Sequence, residues 1–184
     1  MNEKLIIAGF GGQGVMTLGQ LLCYTANNKD LHTLWFPSYG PETRGGTANC
    51  SVLISDTPIN SPVISVPDTA IVLNLPSLTK FMPKVKAGGN FFYNSSLIEP
   101  ENLRTDLNVY EVPVNDIAAK LGNLKVANIV MLGAYLAVTK FFNKEEIEAV
   151  LKKTFGEKKQ HLIPINMEAL DAGRDYLVKQ GKIK

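Results

Sequence analysis

The chain has 184 residues, 45% of them hydrophobic, enough to close one substantial core, and its length favours a single domain over residues 1–184. Nineteen Lys and Arg against 17 Asp and Glu leave a formal charge of +2, too weak a field to argue for nucleic acid or a membrane surface. No run approaches the roughly 18–20 apolar residues of a membrane span, and the opening apolar stretch is too short for a signal-peptide core, so a cytoplasmic location is expected.

Lys4 to Ala8 is a short apolar strand, followed at once by Gly9-Phe10-Gly11-Gly12-Gln13-Gly14 and then by a helical pattern from about Val15 to Asn27, with Val15, Leu18 and Leu22 on one face. His32 to Phe36 reads as a second strand. Ala48 to Ile54 reads as a third, closed by the turn cluster Ser55-Asp56-Thr57-Pro58. Ala70 to Leu75 is almost continuously apolar, as expected of a strand covered on both faces, and Pro76 opens the next helix, which Gly88-Gly89 ends. Asn90 to Tyr93 and Asn108 to Val112 are two further strands. Asn115-Asp116 caps a short helix, Ala127 to Phe142 is a long apolar one, and helices over Lys144 to Thr154 and Asn166 to Gln180 complete the chain. The alternation predicts a Rossmann-like α/β fold, a mainly parallel sheet with helices on both faces and a helical carboxyl-terminal cap.

The spacing of Gly9, Gly11 and Gly14 fits G-x-G-x-x-G in the setting that gives it meaning, after a strand and opening a helix. Glycines let the backbone turn sharply, and the helix amino terminus offers unpaired N–H groups and partial positive charge, so a phosphate, a carboxylate or a partner's acidic side chain suits the turn. A dinucleotide site would need an acid at the end of the second strand, where the sequence reads Trp35-Phe36-Pro37; Asp30 precedes that strand and belongs to the opposite sheet edge. A P-loop would need Lys and Ser or Thr where Val15-Met16 stand. A structural turn or a partner contact therefore stands ahead of NAD binding.

Pro37-Ser38-Tyr39-Gly40-Pro41-Glu42-Thr43-Arg44-Gly45-Gly46 follows the second strand, where α/β sheets place their ligand crevice. It offers a phenol, a carboxylate and a guanidinium to an anion or a neighbouring chain, with a local Glu42–Arg44 contact as the plainer alternative. His32 and His161 stand apart from any nucleophile or carboxylate constellation, and no catalytic residue is assigned. Cys23 and Cys50 lack metal-ligand spacing, and two thiols fall short of the four a [4Fe–4S] cluster normally takes. No metal site is assigned either.

Together the glycine segment with Gly19 and the Ser38-Tyr39-Gly40-Pro41-Glu42 block with Arg44-Gly45-Gly46 resemble the gamma subunit, or the equivalent fused domain, of the pyruvate and other 2-oxoacid:ferredoxin oxidoreductases. Cys50-Ser51, Ile54-Ser55-Asp56, Pro58-Ile59, Ser61-Pro62, Asp68, and Asn128 with Leu132-Gly133-Ala134 extend the likeness over most of residues 1 to 142. The resemblance implies a subunit of a complex that decarboxylates a 2-oxoacid (2-oxoglutarate, pyruvate or a branched-chain one), joins the acyl group to coenzyme A and passes electrons to ferredoxin. It implies alpha and beta partners holding thiamine diphosphate and magnesium, a ferredoxin-like delta partner holding [4Fe–4S] clusters, no cofactor held by this chain alone, and no activity in isolation. Under it, Gly9, Gly11, Gly12, Gln13 and Gly14 form an anion or interface loop, and Ser38, Tyr39, Glu42, Arg44, Gly45 and Gly46 an interface or substrate approach. The alternatives are an indolepyruvate oxidoreductase beta-type subunit and a free-standing nucleotide-binding protein.

Overall fold

The structure is a computed structural model that describes residues 1–39 and 47–184. Its strands β1 (Asn2–Phe10), β2 (His32–Tyr39), β3 (Thr47–Ser55), β4 (Thr69–Val72), β5 (Asn90–Asn94) and β6 (Asn108–Val112) form one sheet in the order β2-β3-β1-β4-β5-β6. Strands β1, β4, β5 and β6 run parallel, whereas β3 is antiparallel to both of its neighbours, β1 and β2. The sheet is thus mainly parallel, as expected, and the antiparallel strand within it has a simple cause. Only residues 40–46 join β2 to β3, and a parallel crossover needs roughly a dozen residues or more. Because β3 is flipped, β2 and β1 point the same way.

The helices are α1 (Val15–Asn27), α2 (Leu75–Phe81), α3 (Val114–Lys120), α4 (Ala127–Thr139), α5 (Lys144–Phe155) and α6 (Ile163–Lys179). Side chains alternate across the strands and feed two separate cores. Leu5, Ile7, Val52, Ile54, Ile71 and Phe92 point into the larger one, shared with α1, α4, α5 and α6. Ile6, Ala8, Ala70, Val72 and Phe91 point to the other face and meet Leu78 and Phe81 of α2. All four residues of β4 are buried, which accounts for its unbroken apolar run. Each large side chain so covered contributes roughly 1.5–3 kcal/mol to folding. Among the described residues, no helix is long and apolar enough to cross a membrane.

Several boundaries differ from the sequence reading, and three of them have a plain physical cause. Strand β2 continues through Pro37 to Tyr39; it bonds only β3, and an edge strand tolerates a residue without an N–H. Helix α3 begins at Val114 behind Pro113, so Asn115 lies inside it instead of capping it. Helix α4 stops at Thr139 because Lys140 takes a left-handed conformation, and Phe142 reaches the core from the following turn.

Candidate functional site

The parallel strands end at one edge of the sheet, and the connections leaving them meet there. Phe10 at the end of β1 pairs with Thr47, and Tyr39 at the end of β2 pairs with Ala48. The glycine turn and the second segment therefore leave the sheet two strands apart, about 10 Å at the usual spacing. Of the second segment, Ser38 and Tyr39 lie in β2 and are exposed; Glu42, Arg44, Gly45 and Gly46 lie outside the described residues.

Gly9 is the last residue but one of β1, and Gly11, Gly12, Gln13 and Gly14 carry the chain into α1. Gly12 and Gly14 have φ of 90° and 77°, conformations that side-chain-bearing residues seldom take. Gln13 braces the turn on both sides. Its Oε1 accepts from the Phe10 N–H at 2.6 Å, and its Nε2 donates to the Leu73 carbonyl, just past β4, at 3.2 Å. From the far side, buried Asn128 at the start of α4 donates through Nδ2 to the Gly14 carbonyl at 3.3 Å. A Cβ on Gly14 would overlap that amide, so the glycine is required by space as well as by φ.

Helix α1 opens at this turn with no side-chain cap and no acid in its first turn. The N–H groups of its first residues have no carbonyl within the helix, and the positive end of the helix dipole is left uncompensated. Beside them lies a cavity of about 100 Å³ lined by Gly12, Gln13, Asn94, Asn115, Lys125 and Asn128, among others. At roughly 30 Å³ per water it has room for one phosphate-sized group. Asn94 donates to Asn115 Oδ1 at 2.8 Å, which fixes both amides, and Lys125 supplies an exposed ammonium. Amides and a cation, without a carboxylate among the lining residues, suit an anion, and the start of α1 adjoins the turn that lines the cavity.

Sequence reasoning missed Asn94, Asn115 and Lys125 as parts of this crevice. Asn94 and Asn115 carried one available signal, each being a polar residue placed just after an apolar strand run, where α/β sheets bind ligands. Asp30 lies between α1 and β2, at the sheet edge away from the crevice, and His32 and His161 are both exposed.

Cys23 and Cys50 are buried, free thiols; burial pushes the first up to about 11 and the second up to about 12, which keeps both protonated and unreactive at neutral pH. Among the described residues, no three His, Cys, Asp or Glu side chains cluster as metal ligands would. A separate polar group sits at the opposite, amino-terminal edge. Glu3 is 6% exposed and accepts from the Tyr135 hydroxyl at 3.2 Å; burial raises its carboxyl to about 7, with Asp68 adding to the rise and Thr69, Tyr135 and Lys86 opposing it.

The model of the pyruvate ferredoxin/flavodoxin oxidoreductase family matches residues 4–176. A ketoisovalerate oxidoreductase subunit of Methanothermobacter thermautotrophicus is 39% identical over 174 residues, 94% of this chain but 36% of that one, so the chain spans about a third of the length of that relative. A 2-oxoglutarate synthase subunit of Methanocaldococcus jannaschii is 35% identical over 156 residues, 82% of each chain. Among solved structures, the gamma subunit of a keto/oxoacid ferredoxin oxidoreductase from Geobacter sulfurreducens PCA superposes with a TM-score of 0.82 at 26% identity, over 97% of this chain and 98% of that one.

Proposed function

We infer the function from one premise: the chain belongs to the pyruvate ferredoxin/flavodoxin oxidoreductase family, whose model covers nearly all of it. We read residues 1–184 as one gamma-type domain, the accessory subunit of a cytoplasmic 2-oxoacid:ferredoxin oxidoreductase. The complex converts a 2-oxoacid and coenzyme A into acyl-CoA and CO₂, and the two electrons released reduce ferredoxin. Alpha and beta partners bind thiamine diphosphate with magnesium, which supplies the carbanion chemistry, and a ferredoxin-like delta partner carries the [4Fe–4S] clusters.

This chain's own part is to hold and orient. The observation that carries the reading is the uncapped start of α1 at a glycine turn pinned by Gln13 and Asn128, next to a small crevice of amide donors and Lys125. Such a site receives a phosphate of coenzyme A through fixed N–H donors with little reorganisation, and so steers the thiol toward the acyl group held by the partners. Gly9, Gly11, Gly12, Gln13 and Gly14 form that anion loop. Ser38, Tyr39, Glu42, Arg44, Gly45 and Gly46 border the approach and the partner contact. No acid, base or nucleophile is assigned to the chain.

The test uses Thr17, exposed in the first turn of α1. In Thr17→Glu the new carboxylate complements the helix dipole, which stabilises the fold by roughly 0.3–1 kcal/mol, but repels an anion at the turn. In the reconstituted complex KM for coenzyme A should rise severalfold with kcat kept and thermal stability slightly raised, and Thr17→Lys should shift KM the other way. Equal KM values in all three proteins would remove the anion site from the account.

A further inference from the structure

We propose that the amino-terminal edge of the sheet holds a second ligand site, in which a small aliphatic carboxylate binds between strands β1 and β3 and the connection that joins β3 to β4. The site is independent of the coenzyme A reading above, which concerns the opposite edge. A cavity of about 550 Å³ lies there, lined by the start of β1, the end of β3 and residues of the connection between 58 and 63, with Asp68 and Lys86 also in its wall. That volume falls within the roughly 300–1,000 Å³ of small-molecule sites and is several times that of the crevice at the glycine turn.

The polar groups of the cavity are unequally used. Its two carboxyls are engaged by the protein itself. Asp68 accepts from the Lys86 ammonium at 2.6 Å through Oδ1 and from the Lys4 backbone N–H at 2.9 Å through Oδ2. Glu3 turns to Tyr135, on the other face of β1. The donors are largely uncommitted. Asn2 accepts from the Ser55 hydroxyl through Oδ1 at 2.6 Å, which leaves its amide N–H bonds for a ligand. Ser61 Oγ accepts from the Val63 N–H at 3.2 Å, which leaves its O–H, and Asn60 is exposed. Among the described residues no carboxylate pairs with the Lys4 ammonium. With Asp68 offset by Lys86 and Glu3 turned away, that ammonium is the charge presented to a ligand, and N–H and O–H donors around it select an anion. The rest of the wall is aliphatic: Leu53, Pro58, Ile59 and Val63, the last 71% exposed and open to contact. Phosphate would leave that wall wet and most of the volume unfilled, whereas a carboxylate on a short branched chain meets both the donors and the apolar side.

Isovalerate tests the site, because it carries the charge and a branched chain but lacks the 2-oxo group of a substrate. Isoamyl alcohol keeps the chain without the charge, and inorganic phosphate the charge without the chain. Each is titrated into the full chain and followed by its backbone amide NMR signals. Isovalerate should move the amides of Asn2 to Lys4, Leu53 to Ser55 and Asn60 to Val63 saturably, with a millimolar Kd, and the other two compounds should leave them in place. Lys4→Gln removes the ammonium and Asn60→Asp adds a repelling carboxylate, both at exposed side chains; each should weaken binding by roughly tenfold with an unchanged melting temperature. Lys158→Gln, on the 3-10 segment between α5 and α6, removes a charge elsewhere and should bind as the wild type does. No saturable change at these amides, an equal response to phosphate, or wild-type affinity in both Lys4→Gln and Asn60→Asp overturns the proposal. So do shifts confined to the glycine turn, because the carboxylate then occupies the crevice at the other edge.

Discussion

Glu3→Gln isolates a buried carboxyl whose protonation is linked to folding. Glu3 lies in the second position of β1, buried against α4, where Oε1 accepts from the Tyr135 hydroxyl. Burial lifts its carboxyl from the ordinary 4.5 to about 7, and at about 1.4 kcal/mol per tenfold change in proton affinity the difference is about 3 kcal/mol. The folded carboxyl holds its proton more tightly than the unfolded one. Its contribution is therefore fully present below pH 4.5 and is lost as pH rises through about 7. Gln keeps the acceptor for Tyr135 and mimics the protonated form. Urea unfolding of both proteins at intervals from pH 4 to pH 8 should give stabilities that nearly coincide at the acid end. By pH 8 they should separate by about 3 kcal/mol in favour of the variant, or about 6–12 °C in melting temperature for a chain of this size. Taking the difference cancels titrating groups remote from Glu3; the Lys86–Asp68 ion pair acts on Glu3 directly, and its effect is part of the raised value. A gap independent of pH, or a variant less stable at pH 8, would refute the reasoning.

Gly14→Ala should cost at least ~2 kcal/mol, through a left-handed conformation and displacement of the Asn128 amide, whereas Gly12→Ala meets open space and should cost only ~1 kcal/mol. Equal losses in thermal unfolding would mean that Asn128 does not pin the turn. The thiols of Cys23 and Cys50 should both stay unreactive toward a disulfide reagent for minutes at pH 8 and both react in guanidinium; rapid labelling of the native protein would contradict their burial and raised pKa.

The strand, glycine turn and helix at the start of the chain were legible because the apolar period changes from two to 3.6 across the glycines. Strand β4 was legible from its unbroken apolar run, although its end was placed late: Asn74 accepts from Ser77 N–H at the start of α2. The direction of β3 was not legible, since alternation records which face is buried and not which way the strand runs. Only the shortness of residues 40–46 carried that information. The candidate site was half visible. The glycines follow from local backbone demands, but the bracing by Gln13 on Leu73 spans 60 residues and that by Asn128 on Gly14 spans 114. Long-range contacts of this kind leave no period in the sequence. Glu3 passed unnoticed because a single carboxylate beside Asn2 and Lys4 reads as a solvated strand end until Tyr135 is seen to cover it.

The central claim is that this chain positions coenzyme A and its partners without chemistry of its own. Ferredoxin reduction driven by 2-oxoisovalerate, 2-oxoglutarate, pyruvate or indolepyruvate with coenzyme A tests it, using the purified chain alone, the thiamine- and cluster-bearing partners alone, and all of them together. The account predicts no turnover from the chain by itself, little or none from the partners without it, and acyl-CoA formed with reduced ferredoxin when they are combined. Turnover by the isolated chain, or full coenzyme A-dependent turnover by the partners in its absence, would contradict it.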